Sequence, residues 1–264
     1  MTSTRNILVL FGLLALPACS LAEKPLAPGE VIARSLASSV QLFAQRQDGK
    51  RRAGSGVALS VNSDGRALIL TAAHLVEPPV QQAVFVHLPG RPEQVEAEIL
   101  TVDPDLDVAV LGAPGLEVQP VELKTSARLG DNVWVVSFPW GRRGTVVNGF
   151  VSQIASEQDN TVVPVEGSVS LIDAAVSYGT SGGGVFDGVS GELIGIVRGY
   201  RTARLSLPGP QAGSLDLPIA GETTVIPSSK IICLLNSAHL TGWIDGQASM
   251  VAGEVPEGES CQEF

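Results

Sequence analysis

Between residues 40 and 226 the apolar side chains come in short runs or alternations bounded by turn chemistry, and no stretch sustains helical spacing. Such runs cover 40–44, 56–61, 67–70, 83–88, 95–102, 108–111, 133–138, 145–154, 169–172 and 193–197, while Asp48-Gly49 and Asp64-Gly65 sit between them as tight-turn dipeptides. Helical periodicity arrives only over 228–240, where Ile231, Ile232, Leu234 and Leu235 mark one amphipathic helix. Short strands in that number predict an all-β fold, a Greek-key barrel or sandwich in two halves, with a seam near 124–130. The segment 202–217, rich in Pro and Gly, reads as a long loop.

Composition narrows the function classes. The chain carries 17 basic and 27 acidic residues for a net charge of −10, the wrong sign for a protein that binds nucleic acid by neutralising phosphates. No spacing of Cys and His resembles a zinc site, so no metal and no cofactor is expected.

The ends read as processing and tethering segments. Arg5 precedes the apolar run 7–16, too short to span a bilayer, and residues 1–18 have the character of an export signal. Leu16-Pro17-Ala18-Cys19 resembles a bacterial lipoprotein box, with Cys19 as the lipidated residue and a membrane anchor as the consequence; Ser20 after it favours the outer membrane. Ser20-Leu21-Ala22 also fits ordinary cleavage before Glu23, giving a periplasmic or secreted protein. Residues 19–37, with Pro25, Pro28 and Gly29, read as a linker, and 241–264 as an acidic tail. Lipidation of Cys19 would leave Cys233 and Cys261 as a possible disulfide; a buried thiol at Cys233 with a free Cys261 is the alternative.

Three short motifs carry the chemistry. Leu70-Thr71-Ala72-Ala73-His74 ends a strand in small residues and presents a histidine that neighbouring backbone can approach. Asp103-Pro104-Asp105-Leu106-Asp107 leads into an apolar run; a calcium loop would need a glycine where Val108 stands. Asp107 abuts that run, and a carboxylate drawn towards a core needs a donor such as an imidazole N–H. Gly179-Thr180-Ser181-Gly182-Gly183-Gly184 can turn sharply around a serine, so that the N–H groups of Gly179 and Ser181 converge on one point.

Together Thr71-Ala72-Ala73-His74, Asp107-Val108-Ala109-Val110-Leu111 and Gly179-Thr180-Ser181-Gly182-Gly183 resemble the active-site signatures of trypsin-like serine peptidases, most closely the bacterial HtrA/Deg branch. Gly54-Ser55-Gly56-Val57, Asp173-Ala174-Ala175, 191–196 and 225–228 add to the resemblance, which spans about 38–235. It implies two six-stranded Greek-key β-barrels, about 38–125 and 126–227, followed by a helix over 228–240. It also implies His74 as base, Asp107 as its orienting partner, Ser181 as nucleophile and the Gly179 and Ser181 N–H groups as oxyanion hole. By the same analogy Ala175 floors the first specificity pocket, with Thr223, Thr224 and Val225 along a wall. With no acid at 175, a preference for small or apolar side chains is expected over Arg or Lys. Thr180, Tyr178 and Gly184 depart from the branch, which commonly has Asn, Pro and Pro there, and the residues after Pro227 are too few for a PDZ domain.

The expectation is therefore a cell-envelope serine endopeptidase acting on polypeptides, with oligomeric state open. A catalytically silent barrel used for binding or scaffolding is the alternative. A third reading takes Gly179-x-Ser181-x-Gly183 as the nucleophile elbow of an α/β-hydrolase esterase, with Asp187 or Asp216 and His239 completing the site. That elbow needs a helix immediately after the serine, and 182–184 are all glycine, the poorest start for one.

Overall fold

The computed structural model describes residues 26–78, 82–155, 163–207 and 213–243. The expected export signal, Cys19, Cys261 and most of the acidic tail lie outside them. Strands β1 (Ser39–Arg46), β2 (Arg51–Val61), β3 (Arg66–Ala72), β4 (Gln82–His87), β5 (Gln94–Asp103) and β6 (Val108–Pro114) close a first antiparallel barrel in the order β1-β2-β3-β6-β5-β4. The second half holds β7 (Ala127–Arg128), β8 (Asn132–Ser137), β9 (Thr145–Ile154), β10 (Glu166–Gly167), β11 (Val169–Asp173), β12 (Gly184–Asp187), β13 (Leu193–Leu207) and β14 (Gly213–Pro227). β7 and β10 pair with each other, and the other six close a barrel in the order β11-β14-β13-β12-β8-β9. The pair of six-stranded Greek-key barrels is the architecture expected, with the seam between β6 and β8.

Burial explains the two kinds of strand pattern. In β1, Val40, Leu42 and Ala44 turn inward at every second position and meet Ile69, Val84, Val86, Ala109 and Leu111 inside the first barrel. Val133, Val135, Val151, Ile172, Val185 and Val197 fill the second. Strands at the interface between the barrels are covered on both faces and so read as continuous runs: Leu68, Ile69 and Leu70 are all fully buried. Their outward residues, Val57, Leu68, Leu70, Val108 and Val110, pack with Val136, Phe186, Ile196 and Ile226. Ile231, Leu234 and Leu235 of α3 (Ser228–Ser237) join that same cluster.

The structure corrects three expectations. Residues 28–37 are not linker: α1 (Pro28–Ser38) occupies them, with Pro28 in the first turn and the Glu30 carboxylate accepting the Ala27 N–H at 3.0 Å. Val31 and Ser35 are its buried face. Within 202–217, the described residues 202–207 and 213–217 are not loop but strand, the outer parts of β13 and β14, in which Ala203 pairs with Leu217, Arg204 with Asp216 and Leu205 with Leu215. The Arg204–Asp216 ion pair at 3.0 Å links these two strands, while the Pro208-Gly209-Pro210 run lies outside the described residues. The last helix stops at Ser237 rather than 240, and His239 beyond it has a φ of +55°.

One ion pair ties the connection between the barrels to the second of them. Asp187, its side chain 7% exposed, accepts Lys124 Nζ at 2.5 Å and the N–H groups of Val189 and Ser190 at 2.8 Å each. Burial by itself would raise the carboxyl pKa, but Lys124 and the two backbone donors outweigh it and hold the group below its ordinary value. A depressed folded pKa contributes stability above the unfolded value near ~3.9, lost as pH falls through the folded one. Asp187→Asn is therefore expected to lose about 2–3 kcal/mol at neutral pH, read by urea denaturation. Its deficit relative to the parent chain should shrink as pH drops below about 4.

Candidate active site

The register of β3 against β6 pairs Thr71 with Ala109 and Ala72 with Val108, so the residues just past this ladder face each other. The Ala73 N–H extends the pairing to the Asp107 carbonyl at 3.0 Å, and His74 follows in the short helix α2 (Ala73–Val76). Asp107 has a φ of +64°, left-handed backbone that a short polar side chain tolerates best. That turn aims its carboxylate back at His74. Oδ1 accepts the His74 backbone N–H at 3.0 Å, and the ring Nδ1 lies 3.0 Å from Oδ1 and 2.9 Å from Oδ2. Asp107 is 13% exposed while the imidazole is half exposed, so the ring is anchored on one edge and open on the other.

Ser181 comes from the second barrel, in the turn between β11 and β12, and lines the same cavity of about 260 Å³ as His74. The two barrels are stitched here by Ser55 of β2. Its N–H donates to the Ser181 carbonyl at 3.0 Å, and its buried hydroxyl donates to the Gly179 carbonyl at 2.8 Å while accepting the Phe138 N–H at 2.8 Å. Gly182 donates to Val197 O and Gly183 to Thr180 O, both at 2.8 Å. Among the described residues the amides of Gly179 and Ser181 donate to no carbonyl, and the Ser181 hydroxyl hydrogen-bonds no group, the His74 ring included.

Gly179 needs its lack of a side chain twice over. Its φ is +89°, and a Cβ there would stand 2.6 Å from the Trp140 amide nitrogen. That nitrogen donates to the Tyr178 carbonyl at 2.9 Å. Because a trans peptide directs its C=O and N–H oppositely, this bond turns the Gly179 N–H away from Trp140. The exposed Trp140 and Tyr178 rings pack at 5.0 Å between centroids beside it.

Several predicted site residues fall elsewhere. Ala175 is exposed and Thr223 and Val225 are buried, with the Thr223 hydroxyl donating to the Ala174 carbonyl at 2.7 Å. Neither these three nor Thr224 lines the cavity, whose wall is Val176, Ser177, Tyr178 and residues 197–200. The strand at 169–173 puts Ala174, not Ala175, on the inward face. Cys233 is disulfide-bonded, which removes the free-thiol alternative; Cys19 and Cys261 are outside the described residues. The esterase reading is overturned: strand β12 follows the serine where a helix is required, Asp187 is held by Lys124, and Asp216 by Arg204. Sequence reasoning missed Ser55 as the strut, Trp140 as a neighbour of the serine turn, and Arg52 and Arg198 at the cavity. Only Ser55 left a trace, as part of a recognised motif without a role.

Comparison with known proteins agrees with this geometry. The chain is 31% identical over 210 residues to the "Probable periplasmic serine endoprotease DegP-like" of Brucella suis, covering 78% of this chain and 38% of that protein. The protein of the same name from Pseudomonas putida is 34% identical over 155 residues, covering 57% and 30%. The chain thus spans less than two fifths of the length of these relatives. Among solved structures, the serine endoprotease of Yersinia pestis superposes with a TM-score of 0.61 at 23% identity, covering 84% of this chain and 70% of that one. A protease of M. tuberculosis in its active form gives 0.57 at 23%, covering 84% of each. Residues 54–196 match the trypsin-like peptidase domain, and with the double barrel this shows the family to which the chain belongs, the trypsin-like peptidases.

Proposed function

We propose that this chain is a serine endopeptidase of the cell envelope, with His74, Asp107 and Ser181 as its catalytic triad. The observation that carries this reading is the grip of Asp107 on both the backbone and the Nδ1 edge of His74, in a cavity shared with a serine whose hydroxyl hydrogen-bonds no group among the described residues. A carboxylate on Nδ1 fixes that nitrogen as the protonated one and leaves Nε2 as the base. Nε2 takes the Ser181 proton as Oγ attacks a peptide carbonyl, then returns it to the leaving amine. The acyl-enzyme is released by water through the same steps. The amides of Gly179 and Ser181, free of carbonyl partners among the described residues, are the donors for the oxyanion. His74 and Ser181 line one cavity, and their hydrogen bond forms as substrate binds, as catalytic hydrogen bonds in unliganded sites often do.

The envelope location follows from the export-type leader and from the relatives' description as periplasmic. Within it, lipid attachment at Cys19 and a Cys233–Cys261 bridge remain part of the same proposal, as does the division into leader, double barrel and acidic tail. The test is covalent. A fluorophosphonate should modify the full chain at Ser181, located by peptide mass spectrometry, and block hydrolysis of unfolded casein in proportion. Casein left intact and Ser181 unmodified would favour the silent binding barrel instead.

A further inference from the structure

The cleft contains a cation that the triad does not use. In β13, Val197 pairs with Val225 and the next pair is Gly199 with Thr224, so Arg198 is the extra residue of a β-bulge. A bulge breaks alternation and re-aims a side chain. Here burial runs unbroken from Leu193 to Val197, and Arg198, the bulged residue, is the first exposed one and lines the cavity that His74 and Ser181 share. Its Nε lies 3.7 Å from Asp107 Oδ2, the oxygen that also meets the histidine ring, and the side chain is 53% exposed.

The guanidinium meets Asp107 through the Nε edge. Its outer pair, Nη1 and Nη2, has no partner among the described residues, and that pair is the fork that matches a carboxylate. Nor is Arg198 the only cation there. Arg52 lines the same cavity, spends one nitrogen on the carbonyls of His74 and Glu77 at 2.7 and 3.0 Å, and has no carboxylate within ion-pair distance among the described residues. Two guanidinium groups against the single carboxylate of Asp107 leave the cleft positive, in a chain whose net charge is −10. The reversal is local, and it sits where substrate must lie.

We propose that Arg198 is the specificity-determining residue of this cleft, its outer N–H pair binding the side-chain carboxylate of an aspartate or glutamate near the scissile bond. Arg198 and Ser181 line one cavity of about 260 Å³, and at ~3.4 Å per extended residue a cavity of that size places the acidic side chain within about two residues of the cleaved bond. The inference rests on the peptidase reading for its substrate, but the recognition itself is measurable without catalysis.

The experiment uses the full chain carrying Ser181→Ala and two dansyl-labelled, C-terminally amidated nonapeptides that differ only in a central Glu or Gln. Anisotropy should give about tenfold tighter binding of the Glu peptide at low salt, the size expected of one charge-assisted pair, shrinking as salt is added. Arg198→Gln in the same background should bind both peptides equally, with an unchanged thermal midpoint, and Arg198→Lys should keep part of the preference. Equal binding by the chain with Arg198, or a Glu preference that survives Arg198→Gln, overturns the inference. In the chain with Ser181 intact, cleavage sites mapped in casein should be enriched in Asp and Glu within two residues of the cut, and Arg198→Gln should erase the enrichment. A Glu preference in binding without any casein cleavage would uphold the subsite and refute the peptidase reading.

Discussion

Asp107→Asn is expected to lower kcat about 10⁴-fold while the fold and the KM stay close to those of the parent chain. The left-handed backbone at 107 suits asparagine as well as aspartate, so the turn itself should survive. What changes is the proton on His74. Oδ1 of Asp107 accepts the His74 backbone N–H at 3.0 Å, and the new amide must keep its oxygen there. The opposite flip would set N–H against N–H at that distance, a worse conflict than facing Arg198 at 3.7 Å. The NH2 group then takes the place of Oδ2 and donates to Nδ1, which forces the ring proton onto Nε2, the nitrogen that should receive a proton from Ser181. Steady-state hydrolysis of a peptide substrate with far-UV circular dichroism as the folding control checks this. A kcat within tenfold of the parent would remove Asp107 from the triad.

The three residues proposed as the triad stand out in the sequence because each lies in a local motif with small or apolar neighbours: Ala72 and Ala73 before His74, the apolar strand after Asp107, the glycines around Ser181. The double barrel was legible for a related reason, since turn dipeptides and short apolar runs are local signals. The features that position the site are not local. Ser55 matters because the fold carries β2 of one barrel to the serine turn of the other, and a motif quotes the residue without the bond. Arg198 matters because of an added residue in the pairing of β13 with β14, and a bulge has no signature in a string of apolar and glycine residues. The residues expected along the specificity pocket do not line this cavity for the same reason. Counting back from Ser181 gave Ala175, whereas the strand pleat turns Ala174 inward and leaves Ala175 exposed. Composition misled twice, at Pro28 and along 202–217. Proline starts a helix as readily as it marks a linker, and the described residues on either side of the Pro208-Gly209-Pro210 run, 202–207 and 213–217, pair as strands.

Gly182→Ala should remove one methyl group's worth of space that the site does not have. The residue has a φ of +78°, and a Cβ there would stand 2.3 Å from the Ser55 carbonyl oxygen, 2.5 Å from Thr71 Oγ1 and 2.9 Å from the Ala72 nitrogen. Two of those atoms are backbone and the third belongs to a buried hydroxyl that donates to Ser55 O at 2.8 Å, so none can swing aside. Left-handed backbone costs an alanine ~1–2 kcal/mol and overpacking adds ~1–3, for a total of about 2–5 kcal/mol. Gly65→Ala separates the two contributions: its φ is +73°, yet nothing lies within 4 Å of its Cβ position, so it should lose only about 1–2 kcal/mol. The larger loss at 182 has a catalytic consequence that the control lacks. Ser55 N–H to Ser181 O and Gly182 N–H to Val197 O flank the methyl, and relief of the clash must stretch one of them. Either movement shifts Ser181 away from His74, and fluorophosphonate labelling of Ser181 should be lost in Gly182→Ala and kept in Gly65→Ala. Urea midpoints that fall equally in the two variants, with labelling intact in both, would mean that the serine turn does not press against the first barrel as closely as its geometry requires.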